Sequence, residues 1–295
     1  MTSSGSIDRD FLLANPLPEI NVSAGKDERG AVLIIGGSSE IPGAVLLAAE
    51  AALRAGAGKL QIATVSSVAP QLAVAIPEAR VIALAENSDG EIDPASSSRL
   101  TAEVRHANAI LVGPGMVDEP GARALSLALL EIEGDAPFVF DAAALTSLKS
   151  EATALQRCGR DFALTPHPGE MAAFNNTSKE EIIGNPLDAG AKAAAHVGGV
   201  VVMKGPTTFI CSPEGRTWRC EGGGLGMATS GSGDVLAGLI TGVAARGAPL
   251  LLAAQWGVFV HAEAGRRLAL SVGKAGYLAR ELAVEVPRII DELRP

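Results

Sequence analysis

Aromatic side chains are scarce: two Trp, one Tyr and seven Phe make up 3% of 295 residues. Since 47% of the chain is hydrophobic, a large core is possible, and it must be aliphatic. Abundant Ala and Val suit close packing of helices on a sheet. Cysteine is nearly absent as well. Cys158, Cys211 and Cys220 are odd in number and match no metal-binding spacing, which argues against a disulfide framework or a zinc module. Cys211 and Cys220 fall on neighbouring predicted strands and are read as buried free thiols rather than a bridged pair. Basic runs are missing, and the net charge is −9, which argues against nucleic acid as a partner because phosphate backbones call for Lys and Arg clusters. The acidity serves solubility. No apolar run reaches the roughly 18 residues of a membrane span. The N-terminal stretch MTSSGSIDRDFLLANPLPEI is polar and acidic, unlike a signal peptide, and a soluble, cytoplasmic protein is expected. Neither GxxxxGK[ST] nor GxGxxG occurs, which argues against a standard P-loop enzyme and a dinucleotide Rossmann site.

What is present is an alternation of strand-like and helix-like segments. AVLIIGG (31–37), KLQIATV (59–65), RVIALAE (80–86), AILVGPG (109–115), FVFDA (138–142), FALTPHPGE (162–170, entering a turn), GVVVMKG (199–205), TTFICS (207–212) and RTWRC (216–220) read as strands. Short β-branched runs ending in glycine or turn residues carry that reading. Helices are predicted over 44–54, 66–75, 95–106, 119–132 and 186–197, and three more over Ser232–Ala245, Pro249–Ser271 and Tyr277–Leu293. Such repetition predicts an α/β fold with a mostly parallel central sheet covered by helices on both faces. Residues 1–28 read as a leader packing on the surface, and 29–295 as a single domain, since no shift in composition marks a boundary.

The densest chemical signal is GGGLGMATSGSGDVLAGLITGVAARG (222–247). Its first half is almost all small residues and its second half an apolar helix. At the junction, Ser230-Gly231-Ser232-Gly233-Asp234, glycines let backbone N–H groups face a ligand. A helix starting there adds unpaired donors and the positive end of its dipole. The result is an anion hole suited to phosphate. Asp234, a carboxylate at an anion site, is open to two readings: an acid favouring the helix dipole, or a base taking a proton from a hydroxyl that attacks a phosphoryl group.

Ligands of parallel sheets bind at the carboxyl ends of strands, which picks out Gly36-Gly37, Gly113–Gly115, Asp141, His167 and Lys204-Gly205. Lys204, in KGPTT (204–208), is either a point charge for phosphate or a surface lysine beside a turn. His167 lies between two prolines in TPHPGE and is either rigidly presented to a ligand or structural. Glu170 is read as a cap of the next helix, with a water-mediated metal contact as the alternative. Asp141 is a functional carboxylate or a helix cap. His106, His196 and His261 receive no function.

Taken together, GGSSEIPGAVLLAAEAALRAGAG (36–58), LVGPG (111–115), FDAAAL (140–145), LTPHPGEM (164–171), VVMKGPTT (201–208) and GMATSGSGDVLAG (226–238) resemble the ADP-dependent NAD(P)H-hydrate dehydratases of the ribokinase-like superfamily. The segments run in family order and span roughly residues 30–290. The resemblance implies a ribokinase-like three-layer fold. It implies repair of hydrated NADH and NADPH by phosphorylating the ring hydroxyl and eliminating phosphate, with ADP (ATP in eukaryotes) as co-substrate. It further implies that Ala44, Gly115, His167 and Asp234 contact the hydrated dinucleotide. Lys204, Gly205, Pro206, Thr207, Thr208 and Gly233 would contact the adenine nucleotide. Asp234 is the implied base, with the amides of Gly231, Ser232, Gly233 and Asp234 as the anion hole. Magnesium is implied, with no ligands assigned, and so is a homo-oligomer, often a tetramer. The epimerase domain fused in some relatives is not expected within these 295 residues.

Three positions depart from the family pattern. Ile41 stands where Tyr is frequent, Ala143 where a second Asp is common, and Gly224-Leu225 replace an Asn-Pro pair. Two other functions fit the same stretch. One is a small-molecule kinase of the thiazole or sugar type, which would release a stable phosphorylated alcohol; LTPHPGEM and KGPTT favour the dehydratase. The other is a non-catalytic nucleotide-binding protein, against which the intact GSGD loop and Lys204 speak.

Overall fold

The computed structural model describes residues 4–19 and 29–294. Ten strands form one sheet: β1 (Ser4–Ser6), β2 (Ala31–Ile35), β3 (Lys59–Val65), β4 (Ala79–Leu84), β5 (Ala109–Val112), β6 (Phe138–Phe140), β7 (Phe162–Leu164), β8 (Val200–Met203), β9 (Thr207–Cys211) and β10 (Thr217–Glu221). Their order is β1-β10-β9-β8-β7-β6-β5-β2-β3-β4. All pairs are parallel except β8–β9 and β9–β10. The last two form the hairpin expected at Glu214-Gly215. Cys211 lies opposite Thr217, and Cys220 opposite Thr208, so the two thiols do not face one another. Both are free and buried, and burial pushes Cys211 up to about 12 and Cys220 up to about 11.

Alternation along the strands divides the core in two. Val32 and Ile34 point into one cluster, with the helices Gly43–Arg54, Ser232–Ala245, Leu250–Ser271 and Ala279–Glu292. Leu33 and Ile35 point into the other, with the helices Glu119–Leu130, Pro168–Asn175 and Pro186–Val197. A strand apolar on both faces belongs in the middle of a parallel sheet covered twice.

Several local expectations change. The leader read as lying on the surface contributes β1 to the sheet edge, and its helix Arg9–Ala14 buries Leu12 completely. The indole of Trp256 donates to the Asn15 carbonyl at 2.9 Å. The end of that stretch, 20–28, lies outside the described residues. The helix predicted over 95–106 is a 3₁₀ segment, Pro94–Leu100, followed by one short helix, Thr101–His106. The Ser98 and Thr101 hydroxyls bond back to the Ala95 and Ser98 carbonyls, the competition that disfavours Ser-rich helices. The last helix begins at Ala279, two residues late, because Leu278 is extended and its N–H donates to Glu281 Oε2 at 2.6 Å.

Candidate functional site

The loops singled out in sequence leave the carboxyl ends of β2, β5, β6, β7 and β8, which are consecutive neighbours in the sheet. β2 pairs with β3 on one side and β5 on the other, so the chain reverses its winding there. That is the switch point where an open α/β sheet has its crevice. Gly37 N–H donates to the Pro114 carbonyl at 2.7 Å, tying the first loop to Gly113-Pro114-Gly115. Gly115 has φ +73, and a Cβ there would sit 3.1 Å from that of Ala44 and against the Ile41 carbonyl. Ala44 and Gly115 are thus brought together by a close approach that only glycine permits.

Lys204 is the centre of the charged cluster. Its Nζ donates to Asp141 Oδ1 at 2.9 Å and lies 3.7 Å from Glu170 Oε2. The Lys204 side chain is 16% exposed and that of Asp141 5%. Asp141 does not bond the N–H groups of the helix Ala142–Ser147 that follows it. Its Oδ1 also accepts from Thr165 Oγ1 at 2.6 Å. The cap reading of Asp141 therefore gives way to a buried ion pair, and Thr165 is a partner the sequence did not single out. Burial alone would lower the Lys204 pKa. Asp141, Glu170 and Asp234 outweigh it and raise it, so the ammonium stays charged.

The helix Ser232–Ala245 arrives at this ammonium with its N-terminus. Gly231 is the N-cap with φ +87, a left-handed conformation natural to glycine. A Cβ on Gly233 would lie 3.2 Å from Lys204 Nζ. Among the described residues, no backbone carbonyl accepts from the N–H groups of Gly231, Gly233 or Asp234. The N–H of Ser232 differs: it donates to the Thr229 carbonyl at 3.2 Å, and its hydroxyl lies 3.1 Å from His261 Nε2. His261 Nε2 is also 2.9 Å from the Ser232 carbonyl. Burial pushes His261 down to about 4. Its neutral ring therefore holds the first turn of the helix, a contact hidden from the sequence because residues 232 and 261 lie on different helices. Burial first, then the charge of Asp141, push Asp234 up to about 7 although Lys204 pulls it down.

His167 caps the helix Pro168–Asn175. Its Nδ1 accepts from Gly169 N–H at 3.0 Å and Glu170 N–H at 3.2 Å, while Glu170 Oε2 accepts from His167 N–H at 2.7 Å. This reciprocal pair is a capping box, as the cap reading of Glu170 expected. Because Nδ1 accepts, the neutral ring carries its proton on Nε2, and the side chain is half exposed. Lys204 N–H donates to the Pro166 carbonyl at 2.8 Å, joining this loop to KGPTT. Within KGPTT, Gly205 and Pro206 are exposed, Thr207 Oγ1 donates to Glu221 Oε2 at 3.1 Å, and Thr208 is nearly buried. The Pro206 carbonyl accepts from Gly222 N–H at 2.8 Å, which lays this loop against the start of the Gly-rich stretch.

A resident metal does not fit the donors present. Asp141 and Glu170 are engaged by Lys204, and no three His, Cys, Asp or Glu side chains among the described residues are placed to hold an ion.

A model of the NAD(P)H-hydrate dehydratase family matches residues 32–288. The chain belongs to this family. It is 48% identical over 283 residues to the ADP-dependent (S)-NAD(P)H-hydrate dehydratase of Xanthomonas campestris pv. campestris, covering 96% of this chain and 94% of that one. The solved ADP/ATP-dependent NAD(P)H-hydrate dehydratase of Bacillus subtilis, co-crystallised with ATP and Mg2+, is similar with a TM-score of 0.81 and 26% identity over 98% of this chain and 99% of that one. A ribokinase-like superfamily protein from Enterococcus faecalis is similar in fold, with a TM-score of 0.80 and 23% identity over 99% of this chain and 96% of that one. The dehydratase chain described here has the α/β, ribokinase-like architecture expected of it. Of its three departures from the family pattern, Ile41 and Leu225 are exposed and Ala143 is buried.

Proposed function

We propose that this protein is an ADP-dependent (S)-NAD(P)H-hydrate dehydratase that repairs hydrated NADH and NADPH, converting ADP to AMP and phosphate. The observation that carries the reading is the arrangement around Asp234. A carboxylate with a pKa near neutrality stands beside N–H donors that no backbone carbonyl among the described residues accepts, and near a charged lysine, in a chain close to a dehydratase along nearly its whole length. The amides of Gly231, Gly233 and Asp234 receive the transferred phosphoryl group, and those of the anion hole expected from sequence lose only Ser232 N–H. Asp234 removes the proton from the ring hydroxyl of the hydrate as its oxygen attacks the terminal phosphorus of ADP, with AMP leaving. Loss of the new phosphate ester, with a ring proton, restores the double bond, so hydrate and ADP become NADH, AMP and phosphate.

Ala44, Gly115 and His167 are assigned to the dinucleotide, the first two because their loops meet at the switch point. Lys204, Gly205, Pro206, Thr207 and Thr208 are assigned to the nucleotide, with Lys204 a point charge for its phosphates. Magnesium belongs in this reading to the phosphate oxygens of the nucleotide, since hard cations take oxygen ligands. The resemblance supports a homotetramer working in the cytoplasm. Among the described residues no helix is long and apolar enough to cross a membrane. The test is phosphorus NMR of a reaction with hydrated NADH and ADP. Inorganic phosphate and AMP in equal amounts are expected; a persistent phosphate ester in place of free phosphate would make the protein a kinase.

A further inference from the structure

The helices Gly43–Arg54 and Ser232–Ala245 both start at the site described above. Ser232–Ala245 has 14 residues, so its far end lies about 20 Å away at 1.5 Å per residue. There a cleft of about 550 Å³ is lined by Arg29, Arg54, Arg246, Arg288 and Arg294, with Asp291 the sole acidic side chain of the lining among the described residues. The whole chain carries a net charge of −9, so a lining with five positive charges and one negative runs against the rest of the molecule.

The described carboxylates nearby do not neutralise it. Arg54 lies 3.7 Å from Glu50, Arg288 3.1 Å from Glu292, and Arg294 3.6 Å from Asp291. Glu292 is shared with Arg267. Among the described residues, counting Glu50, Glu292 and Asp291 in full against five arginines still leaves a surplus of two positive charges. All three pairs are on exposed side chains, where ion pairs are weak.

Arg246 decides between a helix cap and a ligand site. One Nη1 donates to the Ala55 carbonyl at 3.1 Å, which caps the helix Gly43–Arg54. Its Nε is buried and has no acceptor. An unsatisfied buried donor costs about 1–3 kcal/mol, a cost that an anion accepting from it in the cleft would remove. Burial, and then the charge of Arg294, hold Arg246 below its ordinary value.

We infer that this arginine-lined cleft is a second anion site, remote from Asp234, built for a small polyanion of the diphosphate class. Guanidinium forks match phosphate oxygens in pairs. The cleft has the volume of a small-molecule site, and its arginines come from four separate segments of the chain, at residues 29, 54, 246 and 288–294.

The test is calorimetric titration of the full chain with inorganic pyrophosphate at constant ionic strength, with sulfate as the comparison. Two pyrophosphate sites per chain are expected in the wild type, one of them lost in R246Q/R294Q. The R54Q/R294Q variant changes exposed side chains only and guards against misfolding. It is expected to weaken the remote site about tenfold or more, the worth of one charge-assisted bond at the lower end of its range. A parallel titration with ADP separates the two sources of a diphosphate: filling of the remote site by ADP assigns it to a nucleotide, and filling by pyrophosphate alone assigns it to the free ion. Binding that is the same in wild type and R54Q/R294Q, or the same for sulfate and pyrophosphate, overturns the inference.

Discussion

Asp234 lies between opposed influences, and its proton reports the balance. Burial and Asp141 raise its pKa, Lys204 lowers it, and the outcome is about 7. A base of that kind is half ionised at neutral pH, near the optimum for proton transfer. kcat/KM is therefore expected to rise with pH through about 7 in a pH–rate profile. Asp234→Asn should lose about 10²–10⁴-fold in kcat, the range for a general base, and should keep nucleotide binding by calorimetry. The same shift bears on stability. The folded-state value of about 7 lies above the unbound value of 3.8. Between them the folded chain holds a proton that the unfolded chain has lost, so stability falls as pH rises through that window. Asp234→Asn removes this effect and should stabilise the fold at pH 8 by on the order of 1 kcal/mol, read as a higher melting temperature. Lys204→Met tests the opposing influence. It strands Asp141, 3% exposed, and is expected to cost about 3 kcal/mol in denaturant unfolding, the lower end for a broken buried pair. With the ammonium gone, the rising limb of the pH profile should move above its wild-type position.

The helix Ser232–Ala245 has to hold those residues against the sheet. Gly238 and Gly242 make this possible: a Cβ on either would collide with the Ala48 or Ala52 carbonyl of the crossing helix. His261 fixes the other end through the Ser232 carbonyl. His261→Ala is expected to lower kcat about fivefold with little change in KM, since one lost hydrogen bond at the first turn is worth about 1 kcal/mol. His261→Gln, which can donate to the same carbonyl, should recover part of it. A merely structural histidine would change stability without that rescue of kcat. The sequence showed this helix and its glycines, because small residues at a helix start have few other uses. It did not show His261 or Thr165, because their partners are 29 and 24 residues away. The Lys204–Asp141 pair spans 63 residues and was legible only as two strand ends that the parallel-sheet rule brings to one edge.

Across the whole molecule, the sheet order places the five candidate-site loops side by side and the Arg-lined cleft at the far end of the helices beneath them. Most strands were legible, since buried parallel strands are continuous apolar runs such as Ala31–Ile35. The edge strand Ser4–Ser6 was not: three small, mainly polar residues carry no period, and only pairing with Thr217–Arg219 makes them a strand. The short helices Ala142–Ser147, Ala152–Arg157 and Lys179–Gly184 were missed for a related reason, each being too brief to show a helical period. The proposed reaction restores a dihydronicotinamide at the expense of a nucleotide. Absorbance at about 340 nm reads that ring directly. Hydrated NADH mixed with the protein, magnesium and ADP should give a rising trace, with a flat one for Asp234→Asn. A flat trace for the wild type with both ADP and ATP, on hydrate that a control enzyme restores, would rule out the dehydratase reaction.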